Sequence, residues 1–149
     1  MTIILVSFLS SFIGLYIREI VEAWDVFSGQ KTMALSSRAA MNRIVREIKR
    51  INQNTNILTH ASAEVTFIDV GNNTVTFLQS GTNLMRNSNV LLSDLQNPGG
   101  LTFSYLDEDG NPTAITNQMR LVRCRIITVK EENRYVIESA ARIRIKRLK

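Results

Sequence analysis

Residues 1–17 most constrain what this chain can fold into, because they are strongly apolar and no charged side chain precedes Arg18. As an α-helix rising about 1.5 Å per residue, the segment would be about 25 Å long, close to the lower limit for crossing a bilayer. A secretory signal peptide would need a basic segment before the apolar stretch and a small-residue cleavage site after it. Neither is present, so we expect a membrane-inserted helix with the apolar side chains Ile3, Ile4, Leu5, Val6, Phe8, Leu9, Phe12, Ile13, Leu15 and Ile17.

Apolar residues continue at helical spacing to about Gln53, and no proline interrupts them. The pattern predicts a helix over residues 1–53, bent near Gly29 and about 80 Å long. Its first half is apolar on all sides, whereas its second half is amphipathic and can lie on a sheet. We therefore expect a protruding, transmembrane helix half at residues 1–30 and a globular head at residues 31–149.

After His60 the apolar period changes from helical to alternating, which is typical of strands. The segments expected to form antiparallel strands are residues 64–70, 74–78, 83–86, 90–92, 101–106, 120–130 and 134–146. The predicted fold class is α+β: a long N-terminal helix, apolar in its first half and amphipathic in its second, packed on an antiparallel β-sheet head.

Nothing in the residue pattern indicates catalysis. The single cysteine, Cys124, alternates with Val122 and Ile126 and is expected to be a small buried apolar residue. The single histidine, His60, has no cysteine or histidine cluster near it in sequence that could hold a metal. A nucleophile elbow and a glycine-rich phosphate loop are also missing. We predict no enzyme activity, no cofactor and no small-molecule substrate.

Residues 107–111 have the sequence Asp-Glu-Asp-Gly-Asn, which is similar to the start of a calcium loop, but the later glutamate of an EF-hand loop is absent. Asp-Gly between two alternating segments predicts a turn first. Calcium binding at this turn stays open.

The chain is basic, with a formal net charge of +5, and cations alternate along its last predicted strand. Arg142, Arg144 and Lys146 would form one basic stripe, with Arg123 and Arg125 on the neighbouring strand. Such a stripe could bind an anionic partner, including nucleic acid. Interleaved aromatic residues for base stacking are absent, however, and charges also protect edge strands from aggregation. Nucleic acid is therefore the less favoured partner.

Three segments carry a family resemblance. Residues 17–24 read IREIVEAW, and residues 37–50 pass from small residues into Met-x-Arg-x-x-Arg-Glu-x-x-Arg. Residues 101–112 contain the pattern Phe-x-Tyr-x-Asp-x-x-Gly at a predicted hairpin. These segments and the closing basic strand resemble the minor pilins of type IV pili and the minor pseudopilins of type II secretion systems, most closely the larger J-type pseudopilins.

The resemblance implies a subunit that assembles or primes a type IV pilus-like filament or a type II secretion pseudopilus, and so serves protein transport. It implies a single-pass location in the inner membrane with the head outside the cytoplasm, then a place at the filament tip or base. The implied partners are other minor and major pilin-like subunits and the membrane. Two alternatives are a DNA-binding pilin-like subunit of a DNA-uptake system and a plain membrane-anchored basic protein.

The sequence departs from the family at its start. The family has a short basic leader, a Gly-Phe cleavage site and a glutamate at the fifth mature position, whereas the first acid here is Glu19. We expect the family's helix to begin upstream of Met1, so that codons before Met1 would encode the missing segment.

Overall fold

The computed structural model describes residues 2–144, except for the side chains of residues 2–15, 22, 25–27 and 54. Helix α1 spans Thr2–Ile48, and strands follow it to the end of the described chain. The chain divides into two compact units, Met1–Ala34 and Leu35–Lys149. The first unit contains the N-terminal part of α1, and the second contains the rest of α1 and all the described strands.

Five strands form the first antiparallel sheet and are paired in chain order. They are β1 Ile57–His60, β2 Glu64–Ile68, β3 Thr74–Ser80, β4 Asn83–Arg86 and β5 Asn89–Leu92. The hairpin predicted around residues 71–73 is confirmed, because β2 and β3 pair in a continuous register. Asn72 has φ 59° in its turn, a conformation that asparagine tolerates better than most residues.

Three strands form the second antiparallel sheet, in the order β6 Leu101–Leu106, β7 Leu121–Lys130 and β8 Asn133–Arg142. A two-residue turn joins β7 to β8, and Lys130 pairs with Asn133 to close it. The predicted C-terminal hairpin is therefore present. Among the strands that the structure describes, β8 has only β7 as a neighbour, so β8 is an edge of this sheet.

The core of the Leu35–Lys149 unit lies between the last turns of α1 and both sheets. Met41, Ile44 and Ile48 lie on one side of α1 and are buried, as the helical period requires. They join a single apolar cluster with residues of the first sheet and of the second; these include Val65, Phe67, Val75, Phe77, Leu84, Leu101, Phe103, Val122, Cys124 and Ile126. The prediction that Cys124 is buried together with Val122 and Ile126 is confirmed.

Polar side chains also attach α1 to the strands. The hydroxyls of Ser37 and Thr128 are 3.2 Å apart and both residues are fully buried. At the end of α1, the Nε of Arg86 on β4 lies 2.9 Å from both carboxylate oxygens of Glu47, and the Nε of Arg43 lies 3.0 Å from one of them. The buried polar side chains of Ser37, Thr128 and Glu47 therefore all have hydrogen-bond partners, as buried polar groups usually do.

The predicted fold class is wrong. The strands form two antiparallel sheets rather than one helix-covered head sheet, and the unit that contains them is mostly β. Only a short part of α1, after residue 34, belongs to that unit, so among its described residues no long helix is packed along a sheet. The strands divide into two sheets at the loop of residues 93–100. There the N–H of Leu95 donates a hydrogen bond to Thr82 and the N–H of Gln96 donates one to Ile127, which ends the pairing of the first sheet.

Helix α1 also ends earlier than predicted, at Ile48 instead of near Gln53. The N–H groups of Arg50 and Ile51 bond three residues back, to Glu47 and Ile48, which tightens the last turn. The carbonyl of Arg50 then accepts a 3.1 Å hydrogen bond from the N–H of Val70, which directs the backbone toward the first sheet.

Within the described residues, no helix combines the length and the apolar character that crossing a membrane requires. The predicted single-pass localisation in the inner membrane is contradicted by this finding. In α1, Arg18 and Glu19 directly follow Ile17, so the apolar run is interrupted there by two charged side chains. The side chains of Ile3, Ile4, Leu5, Val6, Phe8, Leu9, Phe12, Ile13 and Leu15 lie outside the described residues.

Candidate interaction surfaces

The first candidate surface is a set of exposed apolar side chains on α1, which we call the helix stripe: Ile17, Ile20, Val21 and Trp24. Their spacing places them on one side of the helix. Between 53% and 74% of each side chain is exposed, and Trp24 is the most exposed of the four. Several large apolar residues exposed side by side usually mark a place of contact with another molecule.

A groove of about 590 Å³ follows the same part of α1. Its lining includes two residues of the helix stripe, Ile20 and Trp24, together with Ala23, Ser28 and Lys31. Glu19 lies on the opposite side of the helix, because it is about 200° around the axis from Ile17. The helix stripe and Glu19 therefore lie on different sides of this segment.

The second candidate surface is the exposed face of the second sheet, which we call the basic face: Arg123 and Arg125 of β7 with Arg134 and Arg142 of β8. Directly opposite residues of an antiparallel pair point to the same side of the sheet. Arg123 lies opposite Ala140, and Arg125 lies opposite Glu138. All four arginines alternate with buried or half-buried residues, so they share the solvent side.

Two acidic residues contact the basic face without neutralising it. Glu138 is 3.4 Å from Arg123, and Glu108 is 3.7 Å from Arg142. All four side chains are about half exposed or more, so each pair stabilises the fold by at most about 1 kcal/mol. Arg125 and Arg134 make no ion pair with the described residues. The basic face therefore keeps an excess of positive charge.

The sequence-predicted basic stripe is only partly described. Arg142 ends β8 and is exposed, Arg144 follows the strand and is exposed, and Lys146 lies outside the described residues. Arg123 and Arg125 do lie on the neighbouring strand, as expected. Arg134 was missed, although it is separated from Arg142 by an even number of positions and the period of a strand would have placed both on one face.

Three side chains with reactive groups, those of His60, Tyr105 and Cys124, are buried or half-buried. The ring of His60 contacts that of Tyr105 edge-to-face at 5.7 Å between centroids. The Tyr105 hydroxyl lies 3.3 Å from two backbone carbonyls, and burial raises its pKa well above the ordinary value. Burial likewise raises the pKa of the Cys124 thiol to about 12. A thiol that is not ionised near neutral pH is a poor nucleophile.

The buried carboxylate of Asp69 holds a turn together. It accepts hydrogen bonds from the backbone N–H groups of Asn73 and Gly71, at 3.0 and 2.8 Å, and it lies 2.8 Å from the guanidinium of Arg50. The N–H of Asn73 is the largest cause of a lowered Asp69 pKa, and Gly71 and Arg50 lower it further. This carboxylate is committed to structure.

The turn that could start a calcium loop is closed by its own backbone. One oxygen of Asp107 accepts hydrogen bonds from the N–H groups of Asp109 and Asn111, at 3.0 and 2.8 Å. This is an Asx-turn arrangement, and the sequence predicted a turn at this position. In the part of the chain that the structure describes, no group of three or more His, Cys, Asp or Glu residues is placed to hold a metal.

Comparison of the chain with known protein families, with curated proteins and with solved structures found no match. The pilin-like assignment therefore stays a prediction that depends on the residues of this chain alone.

Proposed function

We propose that this protein is a filament subunit of the minor pilin or pseudopilin kind, which acts in the assembly or priming of a type IV pilus-like filament or a type II secretion pseudopilus. The observation that carries the proposal is the helix stripe. Its four apolar residues are exposed, although burying apolar surface stabilises a contact by about 25 cal/mol per Å². A helix with such a side is suited to packing against equivalent helices of other subunits.

The separation of the stripe from the core supports this proposal. The apolar cluster of the Leu35–Lys149 unit contains none of the helix-stripe residues. The head therefore has a core of its own, and the stripe is not required to complete it. Trp24 is the residue of the stripe best suited to an interface, because tryptophan is enriched among the residues that carry most of the binding energy at protein contacts.

The basic face would then contact other subunits or an anionic partner. A DNA-binding pilin-like subunit stays the second candidate, and the clustering of Arg123, Arg125, Arg134 and Arg142 on one exposed sheet face favours it. Binding that depends on phosphate contacts would fall steeply with salt and with Arg142→Ala.

The test of the filament proposal is self-association of the full chain, measured by sedimentation velocity over a concentration series and by electron microscopy. We expect Trp24→Glu to raise the dissociation constant of self-association at least tenfold, because it places a charge in an apolar helix contact; tenfold corresponds to about 1.4 kcal/mol. The matched control is Glu19→Gln on the opposite side of α1, which should change the constant by less than about twofold, since exposed substitutions of this kind have small effects.

Unfolding of the head, followed by circular dichroism, should be the same in both variants and in the original chain. A wild-type chain that stays monomeric throughout the series would contradict the proposal. Equal self-association of Trp24→Glu and Glu19→Gln would show that the helix stripe is not the contact.

A further inference from the structure

The open edge of the second sheet offers a binding mode that the filament proposal does not use. β8 pairs with β7 along its whole length, from Asn133 to Arg142, and has no strand on its other side among the described residues. A strand with one neighbour exposes every second backbone N–H and C=O group. These groups are donors and acceptors in the spacing that another extended chain requires.

The register identifies which residues present these groups. The N–H groups of Ile127 and Val129 on β7 donate to Gly100 and Asp94, so they point away from β8. In an antiparallel pair, two directly opposite residues either both point their N–H and C=O groups toward the other strand or both point them away from it. The residues of β8 opposite Ile127 and Val129 therefore point these groups away from β7. Those partners are Val136 and Arg134. By alternation, the outward-directed residues of β8 are Arg134, Val136, Glu138, Ala140 and Arg142.

The side chains of these same residues lie on the solvent side of the sheet. The first and last of them are arginines of the basic face. Val136, Glu138 and Ala140 lie between them, and the carboxylate of Glu138 is already paired with Arg123 at 3.4 Å. A strand added along β8 would place its own side chains directly opposite, with Cβ atoms about 4.5–5.5 Å apart. Carboxylates on that strand would meet Arg134 and Arg142, and the excess charge of Arg125 lies on the neighbouring strand.

We propose that the free edge of β8 binds an extended acidic segment of a partner polypeptide as an added antiparallel strand. Backbone hydrogen bonds to the outward groups of β8 would supply affinity, and the basic face would select carboxylate side chains. The proposal is independent of the filament function, because it uses neither α1 nor the helix stripe.

Charge and composition distinguish this occupant from the others. A second copy of the chain would bring a second basic face and so repel the first. Nucleic acid would match the charge, but the described side chains of the basic face include no aromatic residue on which bases could stack. Tyr135 belongs to the other side of β8, where its hydroxyl accepts a 3.1 Å hydrogen bond from the Nε of Arg38. An extended peptide is the partner that uses both the backbone groups and the charges.

The test measures binding of a fluorescent, acetylated twelve-residue peptide of alternating glutamate and threonine to the full chain by anisotropy. The deciding variant is Ala140→Pro, which removes an outward N–H without removing a hydrogen bond to β7 or a charge. Its matched control is Ala140→Ser, which keeps the N–H. We expect Ala140→Pro to weaken peptide binding at least tenfold and Ala140→Ser to change it less than about twofold.

A second measurement needs no variant. The same peptide carrying N-methyl groups on alternate residues cannot donate hydrogen bonds along one edge, and it should bind the wild-type chain at least tenfold more weakly. Unfolding curves of both Ala140 variants confirm that any loss is not caused by unfolding.

Three outcomes would overturn the proposal. The first is equal binding of the plain and N-methylated peptides, which would mean that charge alone is recognised. The second is that the chain binds a twelve-nucleotide thymidine oligomer and does not bind the peptide, and that Ala140→Pro leaves oligomer binding unchanged. This result would assign the basic face to nucleic acid. The third is that the wild-type chain does not bind the peptide but self-associates, and that Ala140→Pro abolishes this self-association. This result would assign the edge of β8 to a second copy of the chain.

Discussion

Two parts of helix α1 carry the same kind of apolar pattern and have opposite surroundings. Ile20, in the Met1–Ala34 unit, is 61% exposed, whereas Ile44, in the Leu35–Lys149 unit, is fully buried. Both residues belong to runs with neighbours three and four positions away, and both lie in one helix. The difference shows that helical spacing of apolar residues creates an apolar side but does not say what covers it. In the Leu35–Lys149 unit the two sheets cover the apolar side of α1. In the Met1–Ala34 unit the apolar side is the exposed helix stripe.

The largest expected effect comes from applying one substitution to both parts. Ile44→Ala should lower the free energy of unfolding by about 2–5 kcal/mol, because it removes buried methyl groups and leaves a cavity in the core. Ile20→Ala should change it by less than about 0.5 kcal/mol, because the side chain is exposed. Denaturant unfolding followed by far-UV circular dichroism measures both. Equal losses in the two variants would break the comparison.

A smaller effect is expected at the polar attachment between α1 and the first sheet. Glu47→Gln should lower the free energy of unfolding by about 1.5–3 kcal/mol, because Arg86 and Arg43 would lose a charged hydrogen-bond acceptor in a largely buried site. The control is Glu132→Gln in the exposed turn between β7 and β8, which should stay within about 0.5 kcal/mol of the wild type. Matching values for the two variants would mean that apolar contacts alone attach the helix.

The smallest expected effect is a pH dependence just beyond the end of α1, where Arg50 contacts Asp69. The pKa of Asp69 is lower in the folded chain than its ordinary value of 3.8, so the unfolded chain binds the proton more tightly. Stability from this group is therefore fully present above that value and is lost as the pH falls through the folded pKa.

This pH dependence is measured as the difference in unfolding free energy between the wild type and Asp69→Asn. The difference in unfolding free energy should be constant above about pH 5 and should shrink as the solution is acidified. Acid protonates Asp69 in the wild type and so removes its charge, whereas the asparagine side chain of the variant has no charge to lose. A difference that is the same at pH 3 and pH 7 would show that the backbone hydrogen bonds to Asp69 do not favour its charged form.

Part of the head could be predicted from single segments. Alternation on both sides of residues 71–73, which supply the turn, was enough for the first hairpin, and alternation around Cys124 was enough to bury its thiol. The strand at Ile57–His60 was missed, because it is short and follows an asparagine-rich loop. The division of the strands into two sheets was missed because alternation identifies the buried face of a strand and not its neighbour.

The candidate surfaces divide in the same way. The exposed positions of Arg142 and Arg144 follow from alternation alone, and so does the shared face of Arg123 and Arg125 once the hairpin is assumed. The outward N–H groups of β8 could not be predicted, because they depend on which residues of β7 bond to the loop at residues 93–100.

The sequence by itself determined the apolar sides of α1, the main hairpins of the head and the excess of positive charge, because each is a property of neighbouring residues. Only the tertiary structure decided that α1 ends at Ile48, that the strands separate into two sheets and that β8 is an open edge among the described strands. These features depend on hydrogen bonds and packing between segments that are far apart in the chain, such as Glu47 with Arg86 and Ser37 with Thr128. Local periodicity does not contain such pairings, because one apolar side can be covered by many different partners.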